Sequence, residues 1–302
     1  MMPKTLTSDR KPEMYDHPTG LPDPVWTEIL QIGLKEDIGF GDLATDALLS
    51  ERHVRGSFLS RDTGILSGLQ VLKKCYDHLG GGVDIDLFLH DGERIREGET
   101  IATVEGPASV ILTGERLILN LLQHMSGIAT ATARGVEILK GSGIRLCDTR
   151  KTLPGLRAFQ KYAVRCGGGF NHRLRLDDGL MIKENHIAVA GSIQRAVKRA
   201  RDRAGLMVRI EVECETEEQV DEAVSAATDV IMLDNCTPEQ AARMRNRIPD
   251  SILVELSGGV TLENLGIYRE CGVDYISMGA LTHSVRAFDI SFLLEDIGEY
   301  HG

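Results

Sequence analysis

No stretch of this chain approaches the roughly 20 consecutive apolar residues needed to cross a bilayer as a helix, so a helical membrane protein is not expected. The opening, MMPKTLTSDRKPEMYDHPTG, has no apolar centre, and residues 1–22 read as a disordered polar tail rather than a signal peptide. The six cysteines (Cys75, Cys147, Cys166, Cys214, Cys236, Cys271) include no CxxC pair and have no histidine at zinc spacing. Buried free thiols in a reducing cytoplasm are expected, not a disulfide framework or a cysteine metal centre. There is no GxGxxG fingerprint ahead of a helix, which argues against a dinucleotide domain. Positive charge is also short overall, for the formal net charge is −11, and a surface of that sign repels a polyanion such as nucleic acid.

The cations that are present are concentrated. From Arg145 to Lys183 there are nine Lys or Arg against three Asp, a net of +6, which leaves −17 for the rest of the chain. Such segregation marks either a site for a small anion or a solvated helix face. Three glycines, Gly167, Gly168 and Gly169, stand in the middle of the block and would let backbone N–H groups approach an anion closely. Arg157, Lys161 and Arg165 fall on the intervening helix and take the solvated-face reading.

The chain changes character near residue 110. Before it, PVWTEILQIGLKEDIG has helical spacing, and DGERIREGETIATVEGPASVIL alternates like short antiparallel strands. That segment is reminiscent of a biotinyl or lipoyl carrier, but no hairpin-tip lysine is present. From Thr113 to His124 one amphipathic helix is expected, with Leu117, Ile118, Leu121, Leu122 and Met125 on one stripe and Arg116 roughly opposite it. After it, six short apolar runs (GIRLCDTR, GLMIKENH, MVRIEVEC, DVIMLDNC, SILVELSGG, VDYISMGA) alternate with helical stretches, which means βα units and a parallel sheet. Each run ends on a polar residue or glycine: Arg150 and Lys151, Lys183, Glu213, Asp234, Ser257, Gly279. In a β/α barrel such ends converge on one mouth where the active site is built. About 170 residues are too few for eight units, so six or seven strands are expected.

Arg150, Lys151, His172, Arg173 and Lys183 could surround a ligand with several negative charges, the arginines offering planar forks and the lysines point charges. Ser257, Gly258, Gly259 and Gly279 follow the last two strands, where β/α barrels commonly hold a phosphate. Glu213 and Asp234 could act as acid and base, as Mg²⁺ ligands, or as stabilisers of developing positive charge, or could simply neutralise nearby cations.

The segments EDIGFGDLATD, GERLILNLLQHMSGIAT, DTRKTLPGLR, KYAVRCGGGFNHRLRLDDGLMIKENHI, IEVECET, MLDN, LSGGVTLEN and DYISMGALTHS together resemble the quinolinate phosphoribosyltransferase family, in order from about residue 26 to 292. The resemblance implies an α/β fold with an N-terminal α/β sandwich domain (residues 23–127, joined by 288–302) and an incomplete parallel α/β barrel (128–287). It implies transfer of a phosphoribosyl group from phosphoribosyl pyrophosphate to quinolinate with loss of CO₂, with Mg²⁺, no organic cofactor, no nucleic acid and no membrane. A homodimer or higher homo-oligomer with shared sites is implied, Arg116 reaching the neighbouring subunit's pocket. By motif, Arg150, His172, Arg173 and Lys183 would line the quinolinate dicarboxylate pocket, with Lys151 also facing the anions. Glu213 and Asp234 would face the ribose and metal-bound pyrophosphate, and Ser257, Gly258, Gly259 and Gly279, with His283 nearby, the 5′-phosphate. Phe170, Arg175 and Leu153 depart from the family's usual residues. Two alternatives share parts of this pattern: a paralogous group associated with molybdate transport, and a barrel lyase using Lys183 as a Schiff base.

Overall fold

The computed structural model describes residues 20–48 and 52–295; the expected polar tail lies outside the described residues except for Gly20, Leu21 and Pro22. In chain order the elements are α1 (Asp23–Ile38), α2 (Leu43–Leu48), β1 (His53–Ser60), β2 (Gly64–Ile65), α3 (Gln70–His78), β3 (Asp84–Leu87), β4 (Arg94–Ile95), β5 (Thr100–Pro107) and α4 (Ala108–Ile138). The alternating part follows: β6 (Arg145–Cys147), α5 (Arg157–Cys166), β7 (Leu180–Ile182), α6 (Glu184–Ala190), α7 (Ile193–Arg201), β8 (Ile210–Cys214), α8 (Glu217–Ser225) and β9 (Val230–Asp234). It closes with α9 (Pro238–Arg245), β10 (Leu253–Ser257), a 3₁₀ turn (Leu265–Tyr268), β11 (Tyr275–Ser277), α10 (Ala280–His283) and β12 (Ile290–Glu295).

Two sheets carry the fold. β12, β1, β5 and β3 form an antiparallel sheet, to which the chain's last described strand returns to pair with β1. The six runs predicted as strands are all strands, in one parallel sheet of order β6-β11-β10-β9-β8-β7. The edge strands β6 and β7 do not pair with each other, so the barrel is incomplete. Phe170 partly fills the gap through a parallel bridge to Cys147. Three of the barrel helices, α7, α8 and α9, start at a capping Ser or Thr: Ser192 accepts from Arg195 N, and Thr216 and Thr237 form capping boxes with Gln219 and Gln240. The helical stretch expected between the last two apolar runs, TLENLGIYRECG, forms only the short 3₁₀ turn.

The helix expected at 113–124 runs through the whole of α4, 31 residues, because apolar residues continue past Met125 to Ile128 and Ala129 and no proline or cap stops it. Its length lets it serve both sheets. Ile111, Ile118 and Leu122 lie in the core around α1, α3 and the antiparallel sheet, and its last turns reach β6. Trp26 of α1 stacks edge-on to Phe159 of α5 at 4.8 Å and donates to Gln70 Oε1, tying the two halves together. All six cysteines are unpaired and buried, as their sequence pattern suggested. Among the described residues no helix is long and apolar enough to cross a membrane.

Candidate active site

Side chains two apart on a strand share a face. On β8 this places Glu213 one tier above Glu211, and on β10 Ser257 above Glu255. Asp234 pairs in register with Ser257. The upper tier, at the C-terminal strand ends, brings together most of the residues singled out from the sequence.

Lys183 and Glu213 form an ion pair there, the lysine half exposed and the glutamate mostly covered. Asp234 accepts from Asn235 Nδ2 at 2.7 Å. Burial, then the charge of Glu213, raise Asp234 above the ordinary carboxylate range, while Lys183 and Lys151 pull it down. Lys151, Gly279 and His283 are neighbours: a methyl at Gly279 would stand 2.9 Å from Lys151 Cδ and 3.1 Å from His283 Cδ2. Ser257 Oγ accepts from Ser277 at 3.0 Å. Gly258 (φ +91°) and Gly259 (φ +63°) take a conformation that side chains disfavour. At Gly258 a Cβ would also lie 2.7 Å from Asn235 N, so the turn requires glycine there.

The second group of cations closes the gap between β6 and β7. Arg173 donates to Gly179 O at 2.8 Å, and burial together with the charge of Arg150 lowers it below the ordinary guanidinium range. Arg150 Nε is buried with no hydrogen-bond partner. Two like charges near each other, one with an orphaned buried donor, suit an anion. Arg116, by contrast, is well exposed on α4, at 61%, beside Glu115 at 3.9 Å.

Below them lies a tier of which only His172 was anticipated from the sequence. His172 Nε2 faces Glu211 Oε2 at 3.2 Å and Glu255 Oε2 at 3.4 Å, inside the barrel. Burial disfavours a charge on the ring, but the two carboxylates outweigh it and push His172 up to about 10. The Arg173 amide works against them, for it donates to Nδ1 at 2.7 Å and can do so only while that nitrogen is bare. Both influences agree on a proton at Nε2. A cavity of about 860 Å³ is lined by these three residues with Phe170, Arg173 and Tyr275. It lies toward the strand starts, and Lys183, Glu213 and Asp234 do not line it.

Two readings from the sequence are corrected here. The Gly167–Gly169 run is not an anion cradle: its N–H groups donate to Ala163, Arg165 and Val164 carbonyls. Glycine is needed because a Cβ at Gly167 or Gly169 would press into Thr132 of α4, at 2.6 and 2.7 Å. Nor are Arg157, Lys161 and Arg165 a solvated face. Lys161 is buried in an ion pair with Asp148 and donates to His172 O at 2.9 Å. Arg157 braces Thr152 and Leu174, and Arg165 donates to Gly169 O. Phe170, a departure from the family pattern, sits between the guanidinia of Arg145 and Arg165, each 5.1 Å from its ring. The missed residues Asp148, Glu211 and Glu255 did leave a signal: IEVEC and VELS each place a carboxylate two residues before a mouth residue, or two before its serine.

An incomplete parallel barrel with clustered cations and carboxylates at its C-terminal mouth has the layout of an enzyme acting on anionic small molecules. Residues 42–126 match the model of the quinolinate phosphoribosyl transferase N-terminal domain, and residues 128–293 that of the C-terminal domain. The chain belongs to the quinolinate phosphoribosyltransferase family, the carboxylating nicotinate-nucleotide pyrophosphorylases of NAD biosynthesis. It is 50% identical over 256 residues to the Bacillus subtilis "probable nicotinate-nucleotide pyrophosphorylase [carboxylating]", covering 85% of this chain and 89% of that one. The Mycobacterium leprae nicotinate-nucleotide pyrophosphorylase is 42% identical over 270 residues, 87% of this chain and 95% of that one. Among solved structures, the Francisella tularensis nicotinate-nucleotide pyrophosphorylase superposes with TM-score 0.89 at 34% identity, over 93% of this chain and 100% of that one. NadC from Streptococcus pyogenes gives 0.88 at 38%, over 92% and 99%. The reaction is a pentosyl transfer to quinolinate with decarboxylation, and neither the molybdate-associated paralogue nor the Schiff-base lyase is favoured.

Proposed function

We propose that the barrel mouth and the adjoining gap between β6 and β7 are the active site, with the residues in the following roles. Arg150, Lys151, Arg173 and Lys183 receive the two carboxylates of quinolinate, with His172 holding the floor beneath them. The observation that carries this is the unpartnered buried Nε of Arg150 beside Arg173: both charges gain when an anion arrives. Ser257, Gly258, Gly259 and Gly279 take the 5′-phosphate, with His283 close by.

Breaking the bond from C1′ of phosphoribosyl pyrophosphate to its pyrophosphate leaves positive charge on the sugar. Glu213 and Asp234 stabilise it. The pyridine nitrogen of quinolinate then bonds to C1′, pyrophosphate departs, and the ring nitrogen becomes cationic. The electron pair left when the C2–carboxylate bond breaks stays on C2, where the adjacent cationic nitrogen stabilises it, and C2 then gains a proton in place of CO₂. Lys183 supplies an ammonium at the same mouth. No organic cofactor is needed because the substrate is its own electron sink.

Glu213 and Asp234 offer only carboxylate oxygens, and burial with their mutual repulsion raises Asp234, so the pair fits a hard dication such as Mg²⁺. Bound with the pyrophosphate, it would neutralise charge on the leaving group. The assembly is a homodimer or a larger homo-oligomer. Arg116 points outward, and the neighbouring helix α2, tied to α4 by Asp42 and Thr113, exposes Leu43 and Leu48. Unpaired, buried thiols suit a cytoplasmic protein.

Replacing Arg150 by Leu removes the orphaned donor and its charge. Losing one partner of a desolvated charge contact costs about 2–5 kcal/mol, so the quinolinate KM should rise at least about thirtyfold while the phosphoribosyl pyrophosphate KM changes little. An unchanged quinolinate KM places the acceptor elsewhere.

A further inference from the structure

Glu211 and Glu255 are carboxylates in the middle of a barrel, each with one buried oxygen that has no partner, and the proposed transfer reaction does not use them. Their other oxygens converge on His172 Nε2. A His with two carboxylates whose donor atoms all lie within 4.8 Å has the composition of a metal site. The tautomer rules against that use. Because Arg173 N–H donates to Nδ1, the ring proton is on Nε2, and a protonated nitrogen has no lone pair for a metal.

We infer that Glu211 and Glu255 are positioning residues for quinolinate: by accepting the His172 Nε2–H they turn Nδ1 onto the Arg173 amide, and so fix the 172–173 turn from which the Arg173 guanidinium stands beside Arg150. The inference rests on the reading of the gap as the quinolinate pocket. The same turn is held from its other side. Asp148 accepts from His172 N at 2.9 Å and from Asn171 Nδ2 at 2.6 Å, and Lys161 donates to His172 O. The backbone is thereby fixed by Asp148 and Lys161, and the ring by the two glutamates. Glu211 also attracts Arg173 and offsets part of the repulsion from Arg150.

Charge alone predicts the opposite of positioning, which makes the inference decidable. Buried anions beneath an anion pocket repel a dicarboxylate, so removing their charge should tighten quinolinate. Positioning says that the acceptor matters more than the charge. The test uses two double variants of the full chain, Glu211→Gln/Glu255→Gln, which keeps a carbonyl acceptor, and Glu211→Leu/Glu255→Leu, which keeps volume and removes the acceptor. A buried donor left unpaired is unfavourable, and the ring then loses the hold that sets its orientation. The Leu pair should therefore raise the quinolinate KM about tenfold, with the phosphoribosyl pyrophosphate KM within about threefold of the parent. The Gln pair should restore the quinolinate KM to within about threefold.

Nitrogen-15 labelling of histidine, with His172→Gln for assignment, should show the parent ring protonated at Nε2 and bare at Nδ1. This readout stands even if the Leu pair fails to fold. A tighter quinolinate KM in both variants, or a ring protonated at Nδ1, overturns the inference. His172→Ala separates it from the site reading. If that change raises the quinolinate KM and the Leu pair does not, positioning fails alone. If His172→Ala leaves the KM unchanged, the reading of the pocket falls and this inference falls with it.

Discussion

Asp234 shows how one side chain's surroundings set a measurable property. Burial and the charge of Glu213 raise it, and the lysines oppose them. In the proposed role an ionised carboxylate is needed beside a developing cation, so activity should be lost as pH falls through the raised value, earlier than for an ordinary aspartate. Glu213→Gln removes the largest charge that raises Asp234. The acid limb of kcat/KM should then move to lower pH, even as the rate itself drops. A limb that stays in place, or moves up, would show that another group sets it. The two carboxylates were legible from the sequence because each is the last or next-to-last residue of an apolar run. Their coupling was not, because register across strands is a property of the folded sheet.

At the scale of elements, α5 and the turn after it carry the clearest divergence between pattern and structure. KYAVRCGGG reads as cations around a flexible turn, yet α5 packs against α4 so closely that two of its glycines are steric necessities and its lysine is interior. Periodicity assigned Lys161 to a polar face because a charged residue seldom enters a core. What overrode it is Asp148, 13 residues earlier in sequence, whose carboxylate also holds Asn171 and His172. Removing one partner of a buried pair strands the other. Lys161→Met should therefore cost about 3–5 kcal/mol in denaturant unfolding, whereas the double change Lys161→Met/Asp148→Leu should recover part of it. A loss under about 1 kcal/mol for the single change would return Lys161 to the surface. The strands were easier to read, since six apolar runs separated by capped helices allow few arrangements.

For the whole molecule, the incomplete barrel has consequences beyond one chain. Arg116 lies on α4 with its side chain outward, too exposed to serve its own core, and the family resemblance assigns it to a neighbour's pocket. Arg116→Ala and Lys183→Ala should each be inactive alone. Co-expressed, half of randomly formed dimers are mixed and hold one repaired site of two, so about a quarter of the parent activity should return in a two-fold assembly. No recovery, with mixed dimers confirmed by differential tags, would keep Arg116 out of any shared site. The barrel class and its strand count were open to sequence reasoning. The inner tier of His172, Glu211 and Glu255 was less so, because carboxylates inside a barrel contradict the expectation that strand interiors are apolar.

The central claim is that paired cations, Arg150 and Arg173 foremost, read two carboxylates at once. The most direct measurement compares kcat/KM for quinolinate and for nicotinate with the same enzyme, phosphoribosyl pyrophosphate and Mg²⁺, following nicotinate mononucleotide and, for quinolinate, CO₂. A monocarboxylate leaves one desolvated cation unpaired at a cost of about 2–5 kcal/mol. Quinolinate should therefore be preferred by at least about thirtyfold, with one CO₂ released per nucleotide formed, whereas comparable kcat/KM for the two acids would contradict the account.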